Sequence, residues 1–251
     1  MSKKTTKKKR TSKSKLVRVP GLGLSVKLFR HEGVTKSPTQ IATLLRGVPY
    51  KPKGKKDIAA GFVDVKASGK NVRASFIAGF RVRVLTYDAD GNLTPVHYVS
   101  VDRGEVIIKT DRGTVEVRGS ERVARKFRKL YEELTGASLS PLNLNGGTKK
   151  LYDQAKNIDA VLLTGIEKGN LSQLEFRGHS IQTEAEIGLY ARKYKGSITR
   201  FRGTFSYPSG AFLTTTVNAE TGSLMVYKSG DGILEKDLTW IVDLMEEAAL
   251  E

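Results

Sequence analysis

The chain has no cysteine, which excludes disulfides and thiolate metal sites and agrees with a reducing or hot intracellular compartment. Its three histidines, His31, His97 and His179, lie too far apart in sequence to form a ligand-spaced pair. No apolar run approaches the length of a membrane span, so no membrane partner is expected. The start is basic but lacks the apolar stretch of a secretory signal, and it lacks the arginine bias and amphipathic spacing of an organelle transit peptide. HExxH, GxSxG and a Cys nucleophile are all missing. Asp88 and Asp90 read as hairpin-turn residues, and Glu184 and Glu186 as acids favoured at a helix start. No catalytic residue, metal ligand or cofactor is therefore assigned.

Acid is scarce at one end. Residues 1–56 hold 17 Lys and Arg but a single acid, Glu32, a net charge of +16, whereas the whole chain is +17. Residues 57–251 carry 26 bases against 25 acids. The layout is a nearly neutral body with a polycationic front. Blocks of like charge repel one another and act as interaction tails. The densest partner for such a tail is nucleic acid, whose phosphates release counterions when neutralised.

Residues 1–16 read as a disordered polybasic arm in which Lys3, Lys4, Lys7, Lys8, Lys9, Arg10, Lys13 and Lys15 neutralise phosphates. Lys predominates over Arg, which favours diffuse backbone contact over bidentate reading. KKTTKKKR also has the composition of a nuclear import signal. Residues 17–56 read as a basic extension. Within it, Ser37, Pro38 and Gln40 form the start of a short helix that Gly47 ends, with an apolar face at Ile41, Leu44 and Leu45, followed by a linker at 49–56. The domain boundary is placed near Lys56.

The body reads as α+β: antiparallel β-hairpins with amphipathic helices. Strands are predicted at 58–66, 71–86, 93–101, 104–110 and 114–118, then a basic helix capped by Ser120 and ended by Gly136. A loop and a short helix at 148–156 follow. Further strands fall at 159–166 and 171–178, a helix at 183–194, strands at 197–206, 211–218 and 223–228, and an acidic helix at 233–249. This divides the body into units 57–136 and 137–251. A repeat runs through them: EVIIKT-DRG-TVEV at 105–117 matches TTTVNA-ETG-SLMV at 214–226, with Gly113 over Gly222. FRVRV at 80–84 corresponds roughly to RFRGTF at 200–205. The expectation is a duplicated β-hairpin–helix unit, with helices on one sheet face and the other face open.

Four features of the body point to the same partner. Arg81 and Arg83, and Arg200 and Arg202, are each spaced i, i+2, so each pair projects from one face of its strand. If the repeat holds, one sheet face carries four guanidiniums. Arg122, Arg125, Lys126 and Lys129 follow helical spacing along one side of the basic helix. Lys149 and Lys150 open a short helix after Gly146 and Gly147, where backbone NH groups suit a phosphate. Finally, the basic helix at 121–134 and the acidic helix at 233–249 suggest self-association through oppositely charged faces.

The sequence thus predicts a non-catalytic DNA- or RNA-binding protein of the cytoplasm, nucleoid or nucleus, in which the arm supplies sequence-independent affinity and the body supplies docking or self-association. Two further readings share the charge partition: a viral coat or nucleocapsid protein with its arm on the genome, in the virion, and a ribosome-associated protein with its extension in RNA.

Overall fold

The computed structural model describes residues 15–249 except Pro20, Val34, Lys55, Lys56, Asn145 and Asp231. The arm cations Lys3, Lys4, Lys7, Lys8, Lys9, Arg10 and Lys13 lie outside the described residues.

The protein is α+β with a mostly antiparallel sheet. In chain order the first elements are β1 (Leu16–Arg18), β2 (Gly23–Glu32), α1 (Pro38–Arg46), β3 (Ala60–Ser68), β4 (Asn71–Tyr87), β5 (Leu93–Lys109), β6 (Thr114–Arg118) and α2 (Glu121–Thr135). There follow β7 (Ser138–Pro141), α3 (Thr148–Gln154), β8 (Asn157–Lys168), β9 (Leu171–Arg177), a 3-10 turn at Ile181–Thr183, α4 (Ala185–Arg192), β10 (Ser197–Ser206), β11 (Phe212–Asn218), β12 (Ser223–Tyr227), β13 (Gly232–Leu234) and α5 (Glu235–Ala249). One large sheet runs β3-β4-β5-β6-β2-β12-β11-β10-β8-β9, with β7 pairing the C-terminal end of β2; β1 and β13 form a separate ribbon.

Local chemistry sets many boundaries. Ser37 and Gln40 close a capping box at α1: the Gln40 amide donates to the Ser37 hydroxyl, and the Ser37 amide donates to the Gln40 side chain at 2.8 Å. Gly136, at φ 72°, ends α2 in the left-handed region. Ser120 precedes α2, but its hydroxyl donates to Asp102 instead of capping the helix.

Several boundaries shift by a few residues and β7 lies in the predicted loop; two differences have a clear local cause. The strands predicted at 93–101 and 104–110 are one strand, β5, which pairs with β4 without interruption from Leu93 to Lys109. Gly104 is no turn: a Cβ there would lie 2.8 Å from the Val123 side chain and 2.9 Å from the Arg118 carbonyl, so the glycine lets α2 and β6 approach closely. The final helix starts at Glu235 rather than 233, because Gly232–Leu234 pair with Leu16–Arg18. The segment 17–56 supplies β2, which stands mid-sheet between β6 and β12.

Helices cover the two halves of the sheet on opposite faces. Along β5 and β6, Val106 and Ile108 pair with Val117 and Val115 on one face and pack under α1 and α2, with Phe62, Phe76, Phe127 and Tyr131 as an aromatic centre. Following the register through β2, β12 and β11 puts Val26, Leu224, Val217 and Phe201 on the other face. There they form a second core with Leu238, Ile241 and Met245 of α5. Helices on one face only were expected. The observed switch leaves the α5 side of the outer β4–β5 hairpin, beyond the ends held by Arg73 and Lys109, and the α2 side of β8–β12 without a helix over them.

The two cores are bridged by charge. Glu116 and Arg118, buried in β6, face α5. Arg118 binds Glu116, Glu105 and Glu235; Lys109 binds Glu246 at 2.9 Å, and Arg112 binds Asp243 and Glu246. Burial pushes the Glu116 carboxyl above its usual range, against the pull of Arg118 and Lys109.

Candidate nucleic-acid interface

The root of the arm is fixed. β1 pairs with β13, the Glu235 amide donates to the Lys15 carbonyl at 2.8 Å, and Lys228 ties both Val19 (Nζ to carbonyl, 3.0 Å) and Leu22 (amide to carbonyl, 3.1 Å) to the end of β12. The residue before Lys228 is Tyr227, and the Arg202 guanidinium lies over its ring, 5.1 Å from the centroid. Val19 and Leu22 thus lie near Tyr227, whereas the described chain begins at Lys15, at the start of α5.

That face is polar and basic. Reading across the register, Arg202 stands beside Thr216, Met225 and Ser25 on one side, and beside Ala160 and Arg177 on the other. Arg200 stands beside Asn218, Ser223 and Leu162, with Glu175 beyond. Arg200, Arg202, Arg177, Glu175, Asp159 and Thr216 line a shallow cleft of about 320 Å³. Glu175 accepts hydrogen bonds from Arg177 at 3.1 Å and Arg200 at 3.2 Å, and these guanidiniums hold its carboxyl below the usual range. Arg202 is exposed and makes no ion pair among the described residues. The arrangement offers a phosphate an unneutralised guanidinium and offers a base a Tyr–Arg stack.

Arg81 and Arg83 are exposed on β4, opposite Val99 and His97. They do not share a face with Arg200 and Arg202. The register carries Arg81 and Arg83 onto the face of Arg73 and Arg118, and Arg200 and Arg202 onto the opposite one. The four-guanidinium face expected from the sequence is two separate pairs.

The basic helix is divided as well. Arg122 forms a two-point pair with Asp102 and lies 4.6 Å from the Phe80 ring centroid; Lys126 donates to the Ile58 and Gly79 carbonyls. Both anchor the β4–β5 hairpin, while Arg125 and Lys129 face solvent. Lys149 pairs with Asp153 one turn on, and Lys150 is exposed. The start of α3 packs tightly on α5, since a Cβ on Gly147 would collide with Ala248. On α5, Glu235, Asp243 and Glu246 are engaged by Arg73, Arg118, Lys109 and Arg112 of the same chain, and Asp237 accepts from the Ser209 amide.

The sequence reading missed Arg177, Glu175 and Tyr227. Arg177 sits i, i+2 from an acid that masks it in a charge count, and Tyr227 reads as a strand aromatic. No family model and no curated protein matches the chain. Among the described residues no helix is long and apolar enough to cross a membrane.

Proposed function

We propose that the protein is a non-catalytic nucleic-acid-binding protein in which the polycationic front delivers phosphate affinity and the Arg200–Arg202–Arg177 face beside Tyr227 receives the strand. The observation that carries this reading is the helix-free face itself: exposed Arg202 stacks on Tyr227 with no ion-pair partner among the described residues, in a chain whose residues 1–16 hold eight cations and no acid. A tethered cation cloud raises the local concentration of phosphate around the body, and the face supplies stacking that a lysine arm lacks.

The test uses the full chain with DNA duplex, single-stranded DNA and RNA across a salt series. Replacing Lys3, Lys4, Lys7, Lys8, Lys9, Arg10 and Lys13 by Gln should flatten the log–log salt slope on duplex by about 6, at about 0.9 per phosphate lost. Arg202→Ala and Tyr227→Ala should each weaken single-strand binding by about 1–3 kcal/mol with little change in slope. Unchanged binding in the Gln variant refutes the role of the arm; unchanged binding in both face variants refutes the role of the face.

We infer also that the body is a duplication. β2-α1-β3-β4-β5-β6-α2 is echoed in chain order by β7-α3-β8-β10-β11-β12-α5, with β9, the 3-10 turn, α4 and β13 inserted. The helix-facing residues Val106, Ile108, Val115 and Val117 stand at the same offset from Gly113 as Thr215, Val217, Leu224 and Val226 from Gly222, and all eight are buried. Both glycines have φ near +60°. Two equivalent units packed with opposite faces helix-covered account for the helix-free face that the nucleic-acid reading uses.

A further inference from the structure

The β4–β5 hairpin outruns its sheet. β3 pairs β4 only as far as Ala78, and β6 pairs β5 only from Glu105. From Gly79 to Asp102 the two strands pair with each other alone. A two-stranded ribbon is marginal in water by itself. This one is also apolar: Val84, Leu85, Tyr87, Leu93, Tyr98 and Val101, half of the twelve exposed large hydrophobic side chains of the described residues, stand on it. They occupy both of its faces, because Leu85, Tyr87, Leu93 and Val101 alternate with Val84 and Tyr98. Its root is held by Arg122 and Lys126 against Phe80 and Asp102.

Charge along the ribbon is ordered. Arg81 and Arg83 lie near the root, Asp88 and Asp90 at the tip, and the span between them is apolar. Neither arginine has an ion-pair partner among the described residues. The midpoint between the two charged ends falls at Leu85, which pairs with Pro95. A two-fold axis through that point lays a second ribbon antiparallel. It sets each tip's aspartates against the other's arginines and covers apolar residues with apolar residues. That is the self-complementarity an isologous interface requires, residue i meeting j and j meeting i.

We propose that the β4–β5 ribbon is a dimerisation arm whose partner is the same ribbon of a second copy of this chain, antiparallel about a two-fold axis at Leu85. Nucleic acid plays no part in this contact, so it is tested on full-length, nuclease-treated protein in high salt, by sedimentation velocity over a concentration series. The native chain should sediment as a dimer. Leu85→Glu should raise the dimer dissociation constant at least tenfold while the monomer keeps its fold by circular dichroism, since Leu85 is more than half exposed. Arg81→Glu with Arg83→Glu, and separately Asp90→Lys with Asn92→Lys, should each give monomers, and mixing the two charge variants should restore a heterodimer. A native chain that stays monomeric at about 100 μM, well above a micromolar dissociation constant, a dimer untouched by Leu85→Glu, or charge variants that do not rescue one another would each overturn the proposal.

Discussion

Replacing Arg118 by Met removes the centre of the charge network that bridges the two cores. The side chain is 3% exposed and donates to three carboxylates: Glu116, Glu105 at 3.2 Å and Glu235 at 2.9 Å. Met keeps the length and the packing and deletes the charge. Glu235 keeps Arg73 at 3.0 Å, but Glu116, 2% exposed, is left with Lys109 at 3.9 Å. Stranding one buried partner of such a pair costs about 3–5 kcal/mol, whereas the pair itself adds little over an apolar substitute. For a chain of this size that lowers the thermal midpoint by roughly 6–20 °C. The loss should also depend on pH. Glu116 already binds its proton more tightly folded than unfolded, because burial raises its pKa, and losing Arg118 raises it further. A carboxyl raised in the fold destabilises as pH climbs above its unfolded value. Glu235 works the other way: although burial acts to raise it, Arg118 and Arg73 hold its carboxyl low, and the stability this gives is lost as pH falls through the folded pKa. Both effects shrink the gap between variant and native chain in acid. Urea unfolding at pH 7 and at pH 4, with exposed Arg103→Met as control, checks this. A deficit below about 1 kcal/mol at pH 7, the range of a surface pair, or one that grows in acid, refutes the reasoning.

Three other outcomes follow from single sites. Burial lowers the His31 pKa to about 4, so the stability it contributes is complete above its unfolded pKa near 6.5 and is lost as pH falls towards 4, by roughly 2–3 kcal/mol; urea midpoints for His31→Gln, which keeps a partner for the Tyr131 hydroxyl, should lack that slope. Gly222→Ala should cost about 2–5 kcal/mol, because φ is +60° and the new Cβ would lie 2.7–2.8 Å from Leu142 and Leu28 backbone atoms, whereas Gly91→Ala, with φ +81° and open space around it, should cost only about 1 kcal/mol in the same denaturation assay. Lys126→Ala should leave nucleic-acid affinity within twofold yet speed amide exchange at Gly79 and Phe80, since its ammonium serves the Gly79 and Ile58 carbonyls.

Strands, hairpins and helix ends were legible where local chemistry decides them. Gly113 and Gly222 marked their turns, and Ser37 with Gln40 marked a capping box. Gly104 misled because a glycine signals a turn and a close approach with the same letter. The larger misses are not local at all. An i, i+2 spacing fixes that Arg81 and Arg83 share a face, but their relation to Arg200 and Arg202 is set by pairing through β5, β6, β2, β12 and β11. Likewise Thr-Val-Glu-Val-Arg reads as a half-solvated strand, and only the docking of α5 on its polar side buries Glu116 and Arg118.

That burial changes what the charge count means. The body's balance of 26 bases and 25 acids suggests a surface with no field. Yet Glu105, Glu116, Glu235, Asp243 and Glu246 are consumed between β5, β6 and α5, with Arg73, Lys109, Arg112 and Arg118 as their partners. Five acids there meet four bases between the sheet and α5, where they act on stability rather than on a ligand. What remains at the surface is uneven: Arg202 beside Tyr227, Arg81 and Arg83 on the ribbon, Arg125 and Lys129 on α2. Each is an exposed cation beyond the reach of the internal network. A neutral body can in this way present distinct basic sites at its surface.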